Sequence, residues 1–139
     1  MRIIFTVLFF LLSLTPYAQT SLQLFGGEDH KIYLGCLNCD DVESNSIWND
    51  VGTYGSDVSS LSIWNDVGEY GSDVSNVSPW NDVASYPPVI VDKEGNFYGY
   101  LTVNEAHEKR AEFSLALTLY RYHDLIKNKV SEWYSKIFN

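Results

Sequence analysis

Lysine and arginine are absent from residues 40–86, although this stretch holds nine aspartate and glutamate residues. The whole chain carries 9 Lys and Arg against 18 Asp and Glu, which gives a formal net charge of −9. Such a chain repels phosphate backbones, so the composition argues against nucleic acid as a partner. It favours cations or a basic surface instead.

The sequence also lacks the motifs of common catalytic sites. It has no nucleophile elbow, no phosphate-binding glycine loop and no His-Glu metal helix. The three histidines, His30, His107 and His123, show no paired ligand spacing. The acid pairs are the same in each copy of a repeat, whereas a catalytic carboxylate pair needs two different environments. We therefore expect no enzyme, and we assign no catalytic, cofactor-binding or metal-ligating residue.

Long apolar runs are absent except at residues 3–14, which follow Arg2 and precede a polar stretch ending in Ala18. A transmembrane helix needs about twenty apolar residues, so this shorter run predicts a signal peptide at residues 1–18, with an N-terminal anchor as the alternative. We expect a secreted or periplasmic protein that begins near Gln19 and has no integral membrane segment after cleavage. No cysteine precedes Cys36, which excludes a lipid-anchored form.

The chain has two cysteines, Cys36 and Cys39, in one C-x-x-C motif. In an exported chain the favoured interpretation is a local disulfide. A thioredoxin-like redox motif requires the first cysteine at a helix N-terminus, whereas these cysteines follow a strand pattern. A structural zinc site requires two further ligands. Both remain as alternatives to the disulfide.

A repeat of sixteen residues dominates the middle of the chain. Residues 46–59 recur almost unchanged as residues 62–75, and a third copy opens at residue 78 and departs after Tyr86 into Pro87-Pro88. A fixed period of this kind predicts a stacked architecture in which each copy packs on its neighbours.

The third copy suggests how each unit begins, because Pro79 replaces Ile47 and Ile63. Proline is favoured in the first turn of a helix and serine at the N-cap, so a short helix is predicted in each unit, capped by Ser46, Ser62 or Ser78 and ended by Gly52 or Gly68. The tryptophan, valine and tyrosine of each unit are expected to form the stacked core. The aromatic candidates, for core packing or for stacking on a ligand, are Trp48, Trp64, Trp80, Tyr54, Tyr70 and Tyr86.

Strand patterns flank the repeats, and a helical pattern comes after them. Residues 21–39 and 89–103 each predict a β-hairpin, and the two hairpins together can form a four-stranded antiparallel sheet. Residues 105–138 carry an apolar stripe at steps of three or four, which predicts an amphipathic helix. The predicted fold is α+β, a single domain at residues 19–139 with two hairpins flanking three short helical repeats at 46–86 and a C-terminal helix.

The repeat also resembles sequences of a known kind. Its motif Ser-Ile-Trp-Asn-x-x-Gly-x-Tyr-Gly-Ser, followed by the Ser-Pro-Trp-Asn of residues 78–81, is similar to that of a group of small, uncharacterised exported bacterial proteins. The resemblance extends from Tyr33 to Asn104 and includes the Pro-Pro-Val-Ile-Val-Asp and Phe-Tyr-Gly-Tyr segments. It implies a bacterial origin and export, and it implies no activity and no site residues.

These observations together predict an exported, non-enzymatic binding or structural repeat module with an unknown envelope or extracellular partner. The alternative is a calcium- or glycan-binding module of the cell envelope. Repeated carboxylates supply the oxygen ligands that calcium prefers. Repeated tryptophan, tyrosine and asparagine are the ingredients of a sugar site, but for the tryptophans a stacked core is the favoured interpretation, because each unit of a stacked repeat needs a large apolar residue.

Overall fold

The computed structural model describes residues 19–139, so the predicted signal peptide at residues 1–18 lies outside the described residues. The described part contains four strands and two helices. In chain order these are β1 (Gln23–Gly26), β2 (Ile32–Cys36), β3 (Val89–Val91), β4 (Phe97–Tyr100), α1 (Ser114–Ile126) and α2 (Val130–Phe138).

The four strands form one antiparallel sheet in the order β2-β1-β3-β4. Each predicted hairpin is present, and the two join where Leu24 of β1 pairs with Ile90 of β3. Because β2 leads into the repeats and β3 leads out of them, this pairing brings both ends of the repeat block to one sheet. Leu24 and Ile90 are fully buried on the side that faces the core.

The prediction of three short helical repeats is wrong. Within the described residues both helices lie C-terminal to the sheet, and residues 46–86 are a succession of tight turns. The turns close about every third residue through backbone bonds, such as Asn49 N–H to Ser46 C=O (3.3 Å) and Gly52 N–H to Asn49 C=O (2.9 Å). This succession continues through the second copy at the equivalent positions.

Serine and asparagine side chains explain why turns replace helices. The Ser46 Oγ atom accepts the Trp48 N–H at 3.0 Å, and the Asn49 Oδ1 atom accepts the Val51 N–H at 3.3 Å. Such local bonds give the backbone an alternative to the helical ladder, and coil after coil repeats them, with acceptors at Ser46, Asn49, Ser56 and Ser59 in the first copy. The predicted helix-ending role of Gly52 and Gly68 is also wrong, because neither adopts the positive φ of a left-handed cap.

The turns wind into stacked coils of sixteen residues. We define coil 1 as residues 46–61, coil 2 as 62–77 and coil 3 as 78–86. A half coil at residues 40–45 precedes them, because Glu43 C=O accepts the Asn49 side chain in the way that Ser59 C=O accepts Asn65. Successive coils are tied together by tryptophan, since Trp64 Nε1–H donates to Ile47 C=O in the preceding coil at 2.7 Å.

The C-terminal segment differs from the single predicted helix over residues 105–138. Residues 101–113 form turns, and residues 127–129 separate α1 from α2. The two helices pack over the repeats through Ile126 and Val130, which join the same apolar core as Leu24 of the sheet. In the described part of the chain, no helix has the length and apolar character that a membrane crossing requires.

Candidate functional site

The three tryptophans form a buried column through the repeats. Trp48, Trp64 and Trp80 are 0, 1 and 6 % exposed, and consecutive ring centroids are 5.7 Å apart. Each indole N–H donates to a backbone carbonyl, at 2.6–2.7 Å. Their polar atoms and their faces are therefore used inside the protein, and these rings offer no open platform for a ligand.

Aromatic residues of the C-terminal helices close both ends of this column. The His123 ring stacks on Trp80 with a centroid distance of 4.4 Å and an interplanar angle of 1°. At the other end, Phe138 meets Trp48 edge to face at 5.6 Å. The helices thus complete the core of the repeats, which explains how coils without regular secondary structure are held in place.

Two of the three tyrosines of the repeat, Tyr54 and Tyr70, lie against the sheet. Tyr70 is buried, and Tyr54 and Tyr86 are partly buried. The Tyr54 ring meets Tyr33 of β2 at 5.0 Å. Tyr54 and Tyr70 thus fasten the coils to the sheet and Tyr86 packs against the apolar core, so all three serve packing.

The valines do not lie where the sequence interpretation placed them. We expected them in the stacked core, but Val51, Val67 and Val83 are 78–90 % exposed. Val42, Val58 and Val74, which also directly follow an aspartate, are 82–83 % exposed. Apolar character alone does not bury a side chain, and these positions lie at the outer corners of the turns.

The exposed Asp-Val pairs form two rows with the period of the repeat. Equivalent residues of stacked coils follow one another along the stack, so pairs sixteen positions apart belong to one row. Row 1 consists of Asp50-Val51, Asp66-Val67 and Asp82-Val83, and row 2 consists of Asp41-Val42, Asp57-Val58 and Asp73-Val74. The sequence interpretation overlooked Asp41-Val42, although its spacing from Asp57-Val58 is the signal that would have found it.

The aspartates of these rows are largely free of cationic partners. Among the salt bridges of residues 19–139, only Asp66 of the six pairs with a base, the Lys127 Nζ atom at 3.3 Å. The valine N–H groups in coils 1 to 3 are bonded to the preceding asparagine or serine side chain, as in Val67 to Asn65 Oδ1 at 3.2 Å. The backbone of these five corners is thus fixed, while their valine side chains face solvent.

A groove runs between the two rows under the junction of α1 and α2. One cavity of about 130 Å³ is lined by Asp66, Gly71 and Asp73 of coil 2 together with His123 and Lys127. A second, of about 360 Å³, is lined by the equivalent residues of coil 1, namely Asp50, Gly55 and Asp57, and again by Lys127. The groove therefore has the same acidic lining in coil 1 and in coil 2.

The charged groups in this groove are partly compensated. Lys127 Nζ lies 3.3 Å from Asp66 Oδ2 and 3.7 Å from Asp124 Oδ1, so one lysine bridges the repeats and α1. Burial lowers the pKa of His123, and nearby Asp124 opposes that shift. A neutral imidazole is favoured, which suits a ring stacked against an indole.

Two observations concern the carboxylates as metal ligands. Residues 19–139 contain no group of three or more His, Cys, Asp or Glu side chains placed to hold a metal ion. The carboxylate of Asp92 is used in its own hairpin turn, where it accepts the Glu94 N–H (3.0 Å), the Asn96 N–H (2.9 Å) and the Tyr98 hydroxyl (2.9 Å). The Asn96 side chain, which also bonds it, is the main cause of its lowered pKa.

The structure joins Cys36 and Cys39 by a disulfide, as predicted from the exported context. The pair lies where β2 ends and the half coil begins, and both residues are buried. Because both sulfurs are used in this bond, neither is a thiolate for redox attack or for zinc. The cysteines therefore fix the entry of the chain into the coils.

No protein-family model, no curated protein and no solved structure matches this chain. The resemblance to small exported bacterial proteins accordingly stays a prediction, and the site is argued from the chain's own residues.

Proposed function

We propose that this chain is an exported, non-enzymatic binding module that presents its two Asp-Val rows to a basic partner in the envelope or outside the cell. The observation that carries the proposal is a set of six Asp-Val pairs at equivalent positions of stacked coils, in which all six valines and every aspartate except the half-buried Asp41 are exposed. The disulfide between Cys36 and Cys39 is consistent with an oxidising, extracytoplasmic compartment.

Comparison between the copies separates these pairs from ordinary surface residues. The exposed position two residues after the row 1 valine holds Thr53, Glu69 or Ser85 in successive copies, so it tolerates change. The Asp-Val pair, in contrast, is identical at all six corners. Packing does not require it, because the valine side chains lie in solvent, and valine is not a residue that turns favour.

The chemistry of the rows indicates a partner with both charge and apolar surface. Unpaired carboxylates attract cationic groups, and the valine beside each carboxylate adds an apolar contact that a simple ion does not use. We favour a basic partner over calcium, because the described residues contain no group of three or more His, Cys, Asp or Glu side chains placed to hold a metal ion. The glycan alternative loses its main candidates, because the tryptophan faces are buried.

Poly-L-lysine labelled with a fluorophore is a suitable first probe, and its binding is measured by fluorescence polarisation at low salt. The test variant changes the five row aspartates without a basic partner to asparagine. Its control removes the same number of charges from exposed acids elsewhere. The test set is Asp41, Asp50, Asp57, Asp73 and Asp82, and the control set, changed to Gln or Asn, is Glu28, Asp29, Glu94, Glu105 and Glu108.

We expect the test variant to lose about tenfold in affinity, equivalent to about 1.4 kcal/mol, while the control variant loses much less. Equal losses in both variants would show that only net charge matters, and the rows would then not be a binding surface. Calorimetric titration with calcium addresses the alternative. Saturable calcium binding by the parent that the test variant loses would replace the proposal with a calcium module.

A further inference from the structure

We infer that the partner segment fitting row 1 is a basic amphipathic α-helix, which lies along the stack of coils with one helical turn on each coil. This inference rests on the proposed function and names the partner for one of its two surfaces.

The protein's own C-terminal helices already pack on the repeats in this way. Four residues of the C-terminal segment, separated by three or four positions, meet four successive coils in order, and one of them, Lys127, lies between α1 and α2. They are His123 on Trp80 of coil 3, Lys127 on Asp66 of coil 2, Ser131 beside Asp50 of coil 1 and Tyr134 bonded to Asp40 of the half coil. The contacts therefore advance by one coil for every three or four residues, within the helices and across the non-helical residues 127–129.

The dimensions of helix and stack explain this correspondence. A helix rises 5.4 Å per turn, and consecutive tryptophan rings of the stack are 5.7 Å apart. In an extended strand, side chains on one face repeat at roughly 6.6–6.8 Å, so a strand loses register with the coils after two steps. A helix keeps register across all three pairs of row 1.

The Lys127 contact shows which side chain such a helix presents to the row. Lys127 directly follows α1, and its ammonium group pairs with Asp66, the middle carboxylate of row 1. Asp50 and Asp82, one coil away on either side, have no basic partner among the described residues. A partner helix with lysine or arginine once per turn meets these two carboxylates in the same manner.

The valines of row 1 provide apolar contacts beside the carboxylates. Val51, Val67 and Val83 stand beside the carboxylates and are the most exposed apolar side chains of the row. The residue after each valine is Gly52, Gly68 or Ala84, so little side-chain volume separates the row from an approaching helix. The complementary helix therefore carries an aliphatic stripe next to its basic stripe, and negatively charged helices are disfavoured.

The test uses synthetic peptides of about fifteen residues, roughly four helical turns, and the purified protein. The first peptide repeats Lys and Leu at helical spacing. A second has the same composition in strict Lys-Leu alternation, which suits an extended strand, and a third is the helical peptide with Glu in place of Lys. Fluorescence anisotropy gives the affinities, and circular dichroism reports the peptide helicity on binding.

Two matched protein variants identify the surface. The row 1 variant is Val51→Ser, Val67→Ser and Val83→Ser, and the row 2 variant makes the same change at Val42, Val58 and Val74. All six side chains are similarly exposed, so both variants should melt close to the parent. We expect the helical basic peptide to bind about tenfold tighter than the alternating one, and only the row 1 variant to weaken it by about tenfold.

The outcomes separate the two claims. Equal binding of the helical and alternating peptides, or equal loss in both variants, overturns the helix on row 1 while leaving a basic partner in place. Absence of binding by both lysine peptides and by poly-L-lysine overturns the proposed function as well. Binding of the glutamate peptide as tightly as the lysine peptide also rejects the inference, because charge complementarity would play no part.

Discussion

Truncation of the central tryptophan, Trp64→Ala, should destabilise the protein more than any other single change in the repeats. Trp64 is 1 % exposed and stacks between Trp48 and Trp80, with centroid distances of 5.7 Å on both sides. Loss of a buried tryptophan typically costs about 3–5 kcal/mol. Its indole N–H also satisfies the Ile47 carbonyl, and leaving a buried polar group unpaired costs roughly 1–3 kcal/mol.

A loss of this size is large beside the total stability of about 5–15 kcal/mol expected of a small domain. The melting temperature should therefore fall by on the order of 15 °C. Trp48 and Trp80 should be less damaging, because Phe138 and His123 cover one face of each ring and can partly fill the space. Thermal melts followed by circular dichroism, with urea titrations to confirm the ranking, measure these differences.

Trp64→Phe is the informative control for the same site. Phenylalanine keeps an aromatic ring in the column but has no N–H for the Ile47 carbonyl, so its melting temperature should lie between those of the parent and Trp64→Ala. If all three alanine variants melted like the parent, the column would not hold the coils together. The structural assignment of the tryptophans would then be wrong.

Four further substitutions probe the turns and the titratable groups. Gly71→Ala should lower the free energy of unfolding by about 1–3 kcal/mol in urea titrations, because a Cβ atom at this position overlaps the Asn65 backbone. Gly68→Ala should lower it less, because its Cβ atom meets only the Asn65 side chain and the third copy has alanine, Ala84, at the equivalent position. The pKa of His123 is lowered on folding, so thermal stability should fall as the pH drops below about 6.5, and His123→Phe should flatten this dependence in melts across that range. The pKa of Asp92 is also lowered on folding, so its ionised carboxylate stabilises the folded protein above about pH 3.9, and this contribution is lost below that pH. In urea titrations Asp92→Asn should therefore be less stable than the parent at pH 7 and equally stable in strong acid.

The hairpins were predictable from sequence because their signals are local. Alternating apolar residues around a Gly-Gly turn and around an Asp-Lys-Glu-Gly-Asn turn define β1 to β4, and the sheet follows from joining the two hairpins. The division of the C-terminal segment was not predictable in this way. No proline or glycine marks residues 127–129, so tertiary packing of Ile126 and Val130 decides where α1 ends.

The repeats were misassigned for an identifiable reason. A serine N-cap and a serine turn use the same bond, from the N–H two residues later to the serine Oγ atom, so Ser46 satisfies either description. The two structures differ further along the chain, where Asn49 and Ser56 form the same kind of side-chain bond and close new turns. A sequence in which capping residues recur every three or four positions favours consecutive turns over a helix.

A purely structural role explains part of the surface but not the whole of it. Exposed aspartates raise solubility, and a repeat protein benefits from charge on its outer corners. Solubility, however, does not require valine beside each aspartate, since an exposed apolar side chain acts in the opposite direction. Glycine or serine at Val51, Val67 and Val83 would suit the turns at least as well. The pairing of a carboxylate with an exposed valine at these six corners is therefore the feature that the proposed binding role accounts for and that folding and solubility do not require.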